Sequence, residues 1–324
     1  MATSPQIQQL TQRQRTEIMA ADEANLQRLA KEYIQIYDSL GGDIDALTKT
    51  IEQLDNPTRK EIEALPEYKR FIRHMNTELD YFTKFTEKTI EGASLAAIEL
   101  GLAHSAEWID IVATGFVGLD ARAMIPLLDY LKRDGPLYDR LALLTGSTVD
   151  SVVSAILNGV NSGFNPKKIA ASIQDAFGGG LTDALRNTRT VQLYSYRDSA
   201  RANYMASDGI VTGWIWFAEL DGDTCPSCIA MHGTLHDLSE SLDDHYNGRC
   251  AAIPYIEGLT NDIQSGEDWF NGLDDITQKN ILGDSKHQAL QDGKFEFSQL
   301  SKQVNNDVYG TMRVVPSLAE LIGE

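Results

Sequence analysis

Apolar positions recur at three- and four-residue spacing through most of the first half of the chain, the period of helices with one buried face. From Leu10 to Tyr37 the fill is Gln, Arg, Glu and Ala, with Leu26, Leu29, Tyr33 and Ile36 at helical spacing. Gly41-Gly42 is expected to end this helix, and a short one to follow as far as Leu54. Asp55-Asn56-Pro57 reads as a stop and restart, with Asn56 as cap and Pro57 at the first helical position. A long amphipathic pattern then passes through Phe71, Met75, Leu79, Phe82 and Phe85. Shorter helices joined by glycines are expected next. One covers Ala121–Arg133, with Ile125, Leu127, Leu128 and Leu131 inward, and Leu137–Leu144 continues after the Gly135-Pro136 turn. Thr148 would cap another helix, to Gly159, and Phe164-Asn165-Pro166 would open a third, Lys167–Phe177. Gly178-Gly179-Gly180 reads as a hinge before a further helix over 181–206.

After Gly209 the pattern changes. Ile210–Leu220 is β-branched and aromatic, with Trp214 and Trp216 two apart, and reads as a strand. The stretch Asp221–Ala252 is loop-rich. Helices return at Gly266-Glu267-Asp268-Trp269 and Asp275–Leu282; Phe295–Asn305 fits strand or helix, and Tyr309–Leu321 reads as loop plus one helical turn. There is no fixed-period repeat. The pattern divides the chain into a helical N-terminal arm or bundle (1–110), a helical middle region (111–206), a strand-plus-loop segment (207–260) and a C-terminal helical tail (261–324).

Charge narrows the partners. The 324 residues carry 28 Lys and Arg against 47 Asp and Glu, a net charge of −19. A generic nucleic-acid coat needs Lys and Arg to displace counterions and is excluded as a class. The balance is −8 over residues 1–150, +2 over 151–215 and −13 over 216–324. Within the basic middle, Arg186, Arg189, Arg197 and Arg201 fall inside an arc of about 120° on a helix. They form either a solvated face or a contact surface for an acidic protein or DNA. The N-terminus lacks a signal-peptide pattern, and no apolar run approaches the roughly 20 residues of a bilayer span. A soluble protein of a reducing compartment is expected, with no membrane and no small-molecule substrate.

The chain's three cysteines lie within one short segment, an odd count that argues against a secreted disulfide framework. The spacing runs Cys225-x2-Cys228, sixteen residues, His245-x4-Cys250. A C-x2-C turn sets two thiolates side by side, and a second pair after a short excursion completes a tetrahedron. Cys225, Cys228, His245 and Cys250 are therefore candidate ligands for a structural zinc ion, with His232 and His236 as alternatives. The predicted fold class is mainly α with a small α+β, loop-rich zinc-knuckle domain. A zinc deaminase fails, because the H-x-E it needs upstream is missing. A thioredoxin-like site fits poorly with the third cysteine and the loop-rich sequel. A metal-dependent, HNH-like nuclease would use Asp244-His245 and Asn247, without the further Asn and His such sites need.

The ordered run Gly213-Trp214-Ile215-Trp216, Leu220-Asp221, Thr224 to Cys228, Met231-His232-Gly233 and His245 to Cys250 resembles phage minor head proteins of the Mu F-like, head-morphogenesis family. Gly163-Phe164-Asn165-Pro166, Arg189-Thr190, Trp269-Phe270 and Ser317-Leu318 extend the likeness over roughly residues 120–321. The family's closing motif reads H-P-x-C-R-C; here Gly248 replaces the penultimate cysteine, while Arg249 and Cys250 match. The resemblance implies a structural minor capsid protein in the virion, at the portal vertex inside the capsid. It would be assembled in the host cytoplasm, with the portal and the major capsid or scaffold protein as partners and a part in DNA packaging or ejection. A nuclease or a cytosolic adaptor using the basic helix are the alternatives.

Overall fold

A computed structural model describes residues 4–124, 136–260, 263–306 and 310–323. The chain is mainly helical, with a small antiparallel strand content in two sheets. The helices are α1 (Ser4–Glu52), α2 (Arg59–Ala64), α3 (Pro66–Asp110), α4 (Ala121–Met124), α5 (Pro136–Asn161) and α6 (Pro166–Met205), then α7 (Pro226–Met231), α8 (Gly266–Asn271), α9 (Asp275–Leu282), α10 (Asp284–Gln291) and α11 (Leu318–Ile322). Strands β1 (Gly213–Phe217), β2 (Leu235–His236) and β3 (Ala251–Tyr255) form one sheet in the order β2-β1-β3. Strands β4 (Lys302–Asn306) and β5 (Gly310–Val314) form a hairpin.

The chain divides into two compact units built from non-consecutive segments. One holds 21–93 and 130–191; the other holds 1–20, 94–129 and 192–324. In the first, parts of α1, α3, α5 and α6 share a core of Leu29, Tyr33, Leu40, Phe71, Met75, Phe82, Val152, Ile173 and Phe177. The amphipathic face read through Phe71, Met75, Leu79 and Phe82 is the buried face of α3.

Three expected breaks are not breaks. α1 runs through Gly41-Gly42, α5 through Thr148 and α6 through Gly178-Gly179-Gly180. A helical glycine costs about 1 kcal/mol relative to alanine. Burial of Leu40, Ile44 and Leu47 beside the first pair outweighs that, at about 1.5–3 kcal/mol per large apolar side chain. Thr148 is no cap: its hydroxyl donates to the Leu144 carbonyl one turn back, at 2.8 Å. The cap before α2 is Thr58, in a capping box with Glu61, and Asn56 instead takes a left-handed conformation. The expected helix Ala121–Arg133 is observed as α4, and its remainder lies outside the described residues. Asn165 does cap α6, its side chain accepting from Lys168 N at 3.0 Å. Among the described residues, one helical stretch, Leu141–Asn161, is long and apolar enough to cross a membrane, against expectation. Leu144, Val152 and Ile156 of that stretch are buried in the unit's core.

In the second unit, β1 carries Trp214 and Trp216, both buried. Trp214 stacks on His236 with ring centroids 4.2 Å apart. The ambiguous segment near Phe295 resolves into a 3-10 turn at Phe297–Leu300 followed by β4, and β5 replaces the loop expected after Tyr309.

The glycine triplet gives a stability test. Gly178→Ala and Gly179→Ala, with open space for the new Cβ, are expected to stabilise the protein by about 0.5–1 kcal/mol each. Gly180→Ala is expected to destabilise it, because that Cβ would fall 2.5 Å from Thr148 Oγ1 and 2.6 Å from the Tyr33 hydroxyl. Equal effects at all three positions in urea unfolding would contradict this packing.

Candidate metal centre

Cys225 is the N-cap of α7, and Pro226 holds the first helical position. The Cys225 sulfur accepts from Cys228 N at 3.4 Å, so both sulfurs gather at the helix start. The loop ahead of α7 is fixed by Asp221, which accepts from Thr224 Oγ1 at 2.8 Å and from both Arg249 Nη atoms at 2.8 and 2.9 Å. That two-pronged pair, first of all, holds the Asp221 carboxyl down to about 2. It also joins the Cys225 loop to the chain beside Cys250.

The second half of the site is the loop between β2 and β3. His245 Nε2 lies 3.3 Å from Cys225 Sγ and 3.4 Å from Cys228 Sγ. A tetrahedral zinc bonded at about 2.3 Å to sulfur and about 2.05 Å to nitrogen spaces those atoms about 3.6 Å apart. His245 Nδ1 donates to the Tyr246 carbonyl at 2.9 Å, which orients the ring and leaves Nε2 toward the thiols. Cys225, Cys228, His245 and Cys250 thus lie close together and could hold a metal ion. They form two overlapping groups that share Cys228: Cys225, Cys228 and His245, and Cys228, Asp244 and Cys250. The alternative ligands are engaged elsewhere. His232 Nδ1 accepts from Ala218 N at 3.0 Å, and burial holds that ring down to about 4. His236 bonds Thr234 and Glu240 under Trp214.

The loop is held from α6. Arg197 is buried; its Nε donates to the Cys250 carbonyl at 2.8 Å, and its Nη2 to the Gly248 carbonyl and Asp244 Oδ2 at 3.0 Å each. Tyr194 donates to the Asp244 carbonyl at 2.9 Å. Asp244 is fully buried; its Oδ1 accepts from His245 N at 2.9 Å and its Oδ2 from Cys250 N at 3.1 Å. On the other side of the loop, Asp243 accepts from Gln303 at 2.7 Å and Arg313 at 2.9 Å, which are cross-strand neighbours on the hairpin.

These contacts correct the reading of the arginine stripe. Arg197 serves the metal loop and presents no surface. Arg189 pairs with buried Asp22 at 2.6 Å, Arg186 with Asp183 at 3.2 Å, and Arg201 reaches the Leu238 carbonyl at 3.1 Å. Sequence reading passed over Asp243, and met Asp244 only in the nuclease alternative and Asp221 only within the family resemblance. The available signal was the Asp243-Asp244 pair directly before a candidate ligand.

The thiols differ in character. The hydrogen bond with Cys228 holds the Cys225 thiol well below its ordinary range, against burial and with help from His245. Hydrogen bonds to Cys225 and Cys250, with burial, push Cys228 up. Burial opposes charge on His245, yet Cys225 and Asp244 raise it to about 10. The lowered Cys225 adds stability that is complete above the ordinary thiol range and fades as pH falls below it. The raised His245 adds stability that is complete below its ordinary value and fades as pH rises toward about 10.

Two outcomes follow for the metal-free chain. Iodoacetamide at pH 7 is expected to alkylate half-buried Cys225 well before buried Cys228, as read by peptide mass spectrometry; the reverse order would refute the assignment. Gly248→Ala would put a Cβ 2.1 Å from Asp244 Oδ2. Prising Asp244 from Arg197 in this way is expected to cost about 3–5 kcal/mol, and an unchanged melting temperature would contradict it.

The chain matches no family model, no curated protein and no solved structure.

Proposed function

We propose that the protein is a structural minor head protein of a tailed phage, of the head-morphogenesis type, with zinc held by Cys225, Cys228, His245 and Cys250. It joins the portal and procapsid during assembly in the host cytoplasm, stays in the virion at the portal vertex, and assists DNA packaging or ejection. The ordered motifs from Gly163 to Ser317 support the family reading. The observation that carries the structural role is the closure of the cluster. His245 directs Nε2 at two sulfurs and Nδ1 at the Tyr246 carbonyl, so neither ring nitrogen stands ready as a general base. Thiolates and imidazole favour zinc over magnesium or calcium, which take oxygen ligands. A closed site of this kind staples loop-rich chain that lacks a large core of its own.

The test has two parts. Purified full-length protein is expected to carry about one zinc per chain, and Cys228→Ser to lose it. The protein is expected in purified virions and in a complex with portal rings. Its absence from virions together with no affinity for the portal would overturn the capsid reading. Divalent-ion-dependent plasmid cleavage that is abolished by His245→Ala would replace it with the nuclease.

A further inference from the structure

Three asparagines in the chain stand directly before a glycine: Asn158, Asn247 and Asn271. The pair has a chemistry of its own. The glycine nitrogen attacks the asparagine side-chain carbonyl, and with no Cβ on the glycine nothing shields the approach. We propose that Asn247 is a site of spontaneous deamidation, and that isoaspartate at this position releases the metal loop. The second half rests on the reading that the cluster holds a metal; the first half does not.

The step needs no reagent but water. Gly248 N bonds to Asn247 Cγ, the Cγ–Nδ2 bond breaks, and ammonia leaves with the proton from Gly248 N. The cyclic imide that results takes up one water. Opening at one carbonyl gives aspartate. Opening at the other gives isoaspartate, whose main chain runs through Cβ and Cγ and is one atom longer.

All three asparagines are exposed, so exposure does not choose between them. The backbone does. Asn158 lies inside α5, and Gly159 belongs to the same helix. Asn271 is the last residue of α8, and Gly272 N donates to the Asp268 and Trp269 carbonyls at 3.1 Å each. At either site helical backbone must open before the nitrogen can swing onto the side chain. Asn247 lies outside every helix and strand, in the loop between β2 and β3. It holds the third position of the turn from His245 to Gly248, which is closed by a bond from Gly248 N to the His245 carbonyl at 3.0 Å. Its φ of 63° is the left-handed conformation that such turns take there through glycine or asparagine. Only that turn has to open to free the nucleophile.

The same loop has no slack for a longer chain. Asp244 Oδ2 is held by Arg197 Nη2 and Cys250 N at 3.0 and 3.1 Å, and the Gly248 carbonyl accepts from the same guanidinium at 3.0 Å. A single carbon added on Gly248 would fall 2.1 Å from Asp244 Oδ2. An extra main-chain atom between residues 247 and 248 therefore moves Gly248 off Arg197 or moves His245 off the two sulfurs, which its Nε2 meets at 3.3 and 3.4 Å.

The experiment ages the full-length protein in mildly alkaline buffer, with and without zinc, and follows each Asn-Gly peptide by mass spectrometry, with isoaspartyl methyltransferase labelling to separate the two products. In the zinc-free protein Asn247 is expected to convert at least about fivefold faster than Asn158 and Asn271, with isoaspartate among its products. Conversion of either helical asparagine as fast as Asn247, or none at Asn247, would overturn the site. Zinc content is then measured after ageing. Wild type is expected to lose zinc in proportion to isoaspartate at 247. Asn247→Gly, which keeps the left-handed turn and has no amide to lose, is expected to retain it. Equal zinc loss from both proteins would overturn the link to the loop. A fresh chain that takes up no zinc overturns the metal reading and that link together, while the order of the three asparagines still decides the site.

Discussion

The buried pair of Arg197 and Asp244 is the contact on which the Cys/His region depends. Stripping water from two such ions costs several kcal/mol each, so the pair holds only where every donor and acceptor is used. Here the guanidinium also serves the Gly248 and Cys250 carbonyls, while the carboxylate takes the His245 and Cys250 amides. One side chain of α6 thereby fixes the backbone of a loop that has almost no regular structure between β2 and β3. The loop cannot supply that order itself. Its own turn, around left-handed Asn247, only reverses the chain.

From this pair the rest of the site follows outward. With the loop fixed, His245 meets the two sulfurs that α7 gathers at its start. Asp221 and Arg249 close the other side, and Asp243 ties the same loop to Gln303 and Arg313 on the hairpin. Among the described residues, strands β4 and β5 bring no metal-ligating residue of their own, yet they buttress the segment that does. Chain near residue 313 and chain near residue 197 are thus held to the same loop between β2 and β3.

Much of this was legible in the sequence, and the failures share a cause. The α3 face, the opening of α6 at Phe164-Asn165-Pro166, the β1 strand and Asp275–Leu282 follow from local periodicity or helix-start chemistry, which a chain carries in adjacent residues. The Cys225, Cys228 and His245 cluster follows from spacing. What misled were residues whose role is set by distant partners. Gly41-Gly42 and Gly178 to Gly180 are breakers by propensity, but packing of their neighbours overrides about 1 kcal/mol per glycine. Arg197 looked like part of a basic stripe because helical angle alone cannot say which face is buried. The role of Asp244 as the anchor of the loop was not read because nothing in its neighbourhood along the chain reveals the arginine 47 residues earlier.

The fate of the four arginines also settles how the net charge of −19 is presented. In the segment of positive balance, Arg189 and Arg197 pair with buried Asp22 and Asp244, Arg201 reaches the Leu238 carbonyl, and Arg186 pairs with Asp183 at the surface. Pairing cancels their far field without diluting the acidic excess elsewhere. A phosphate backbone approaching an acidic surface meets repulsion that grows as salt falls. A basic protein surface meets the opposite field and is steered inward. An acidic excess of this size favours basic surfaces over phosphate backbones as a matter of electrostatics, and of the four arginines it is Arg197 that holds the loop carrying His245.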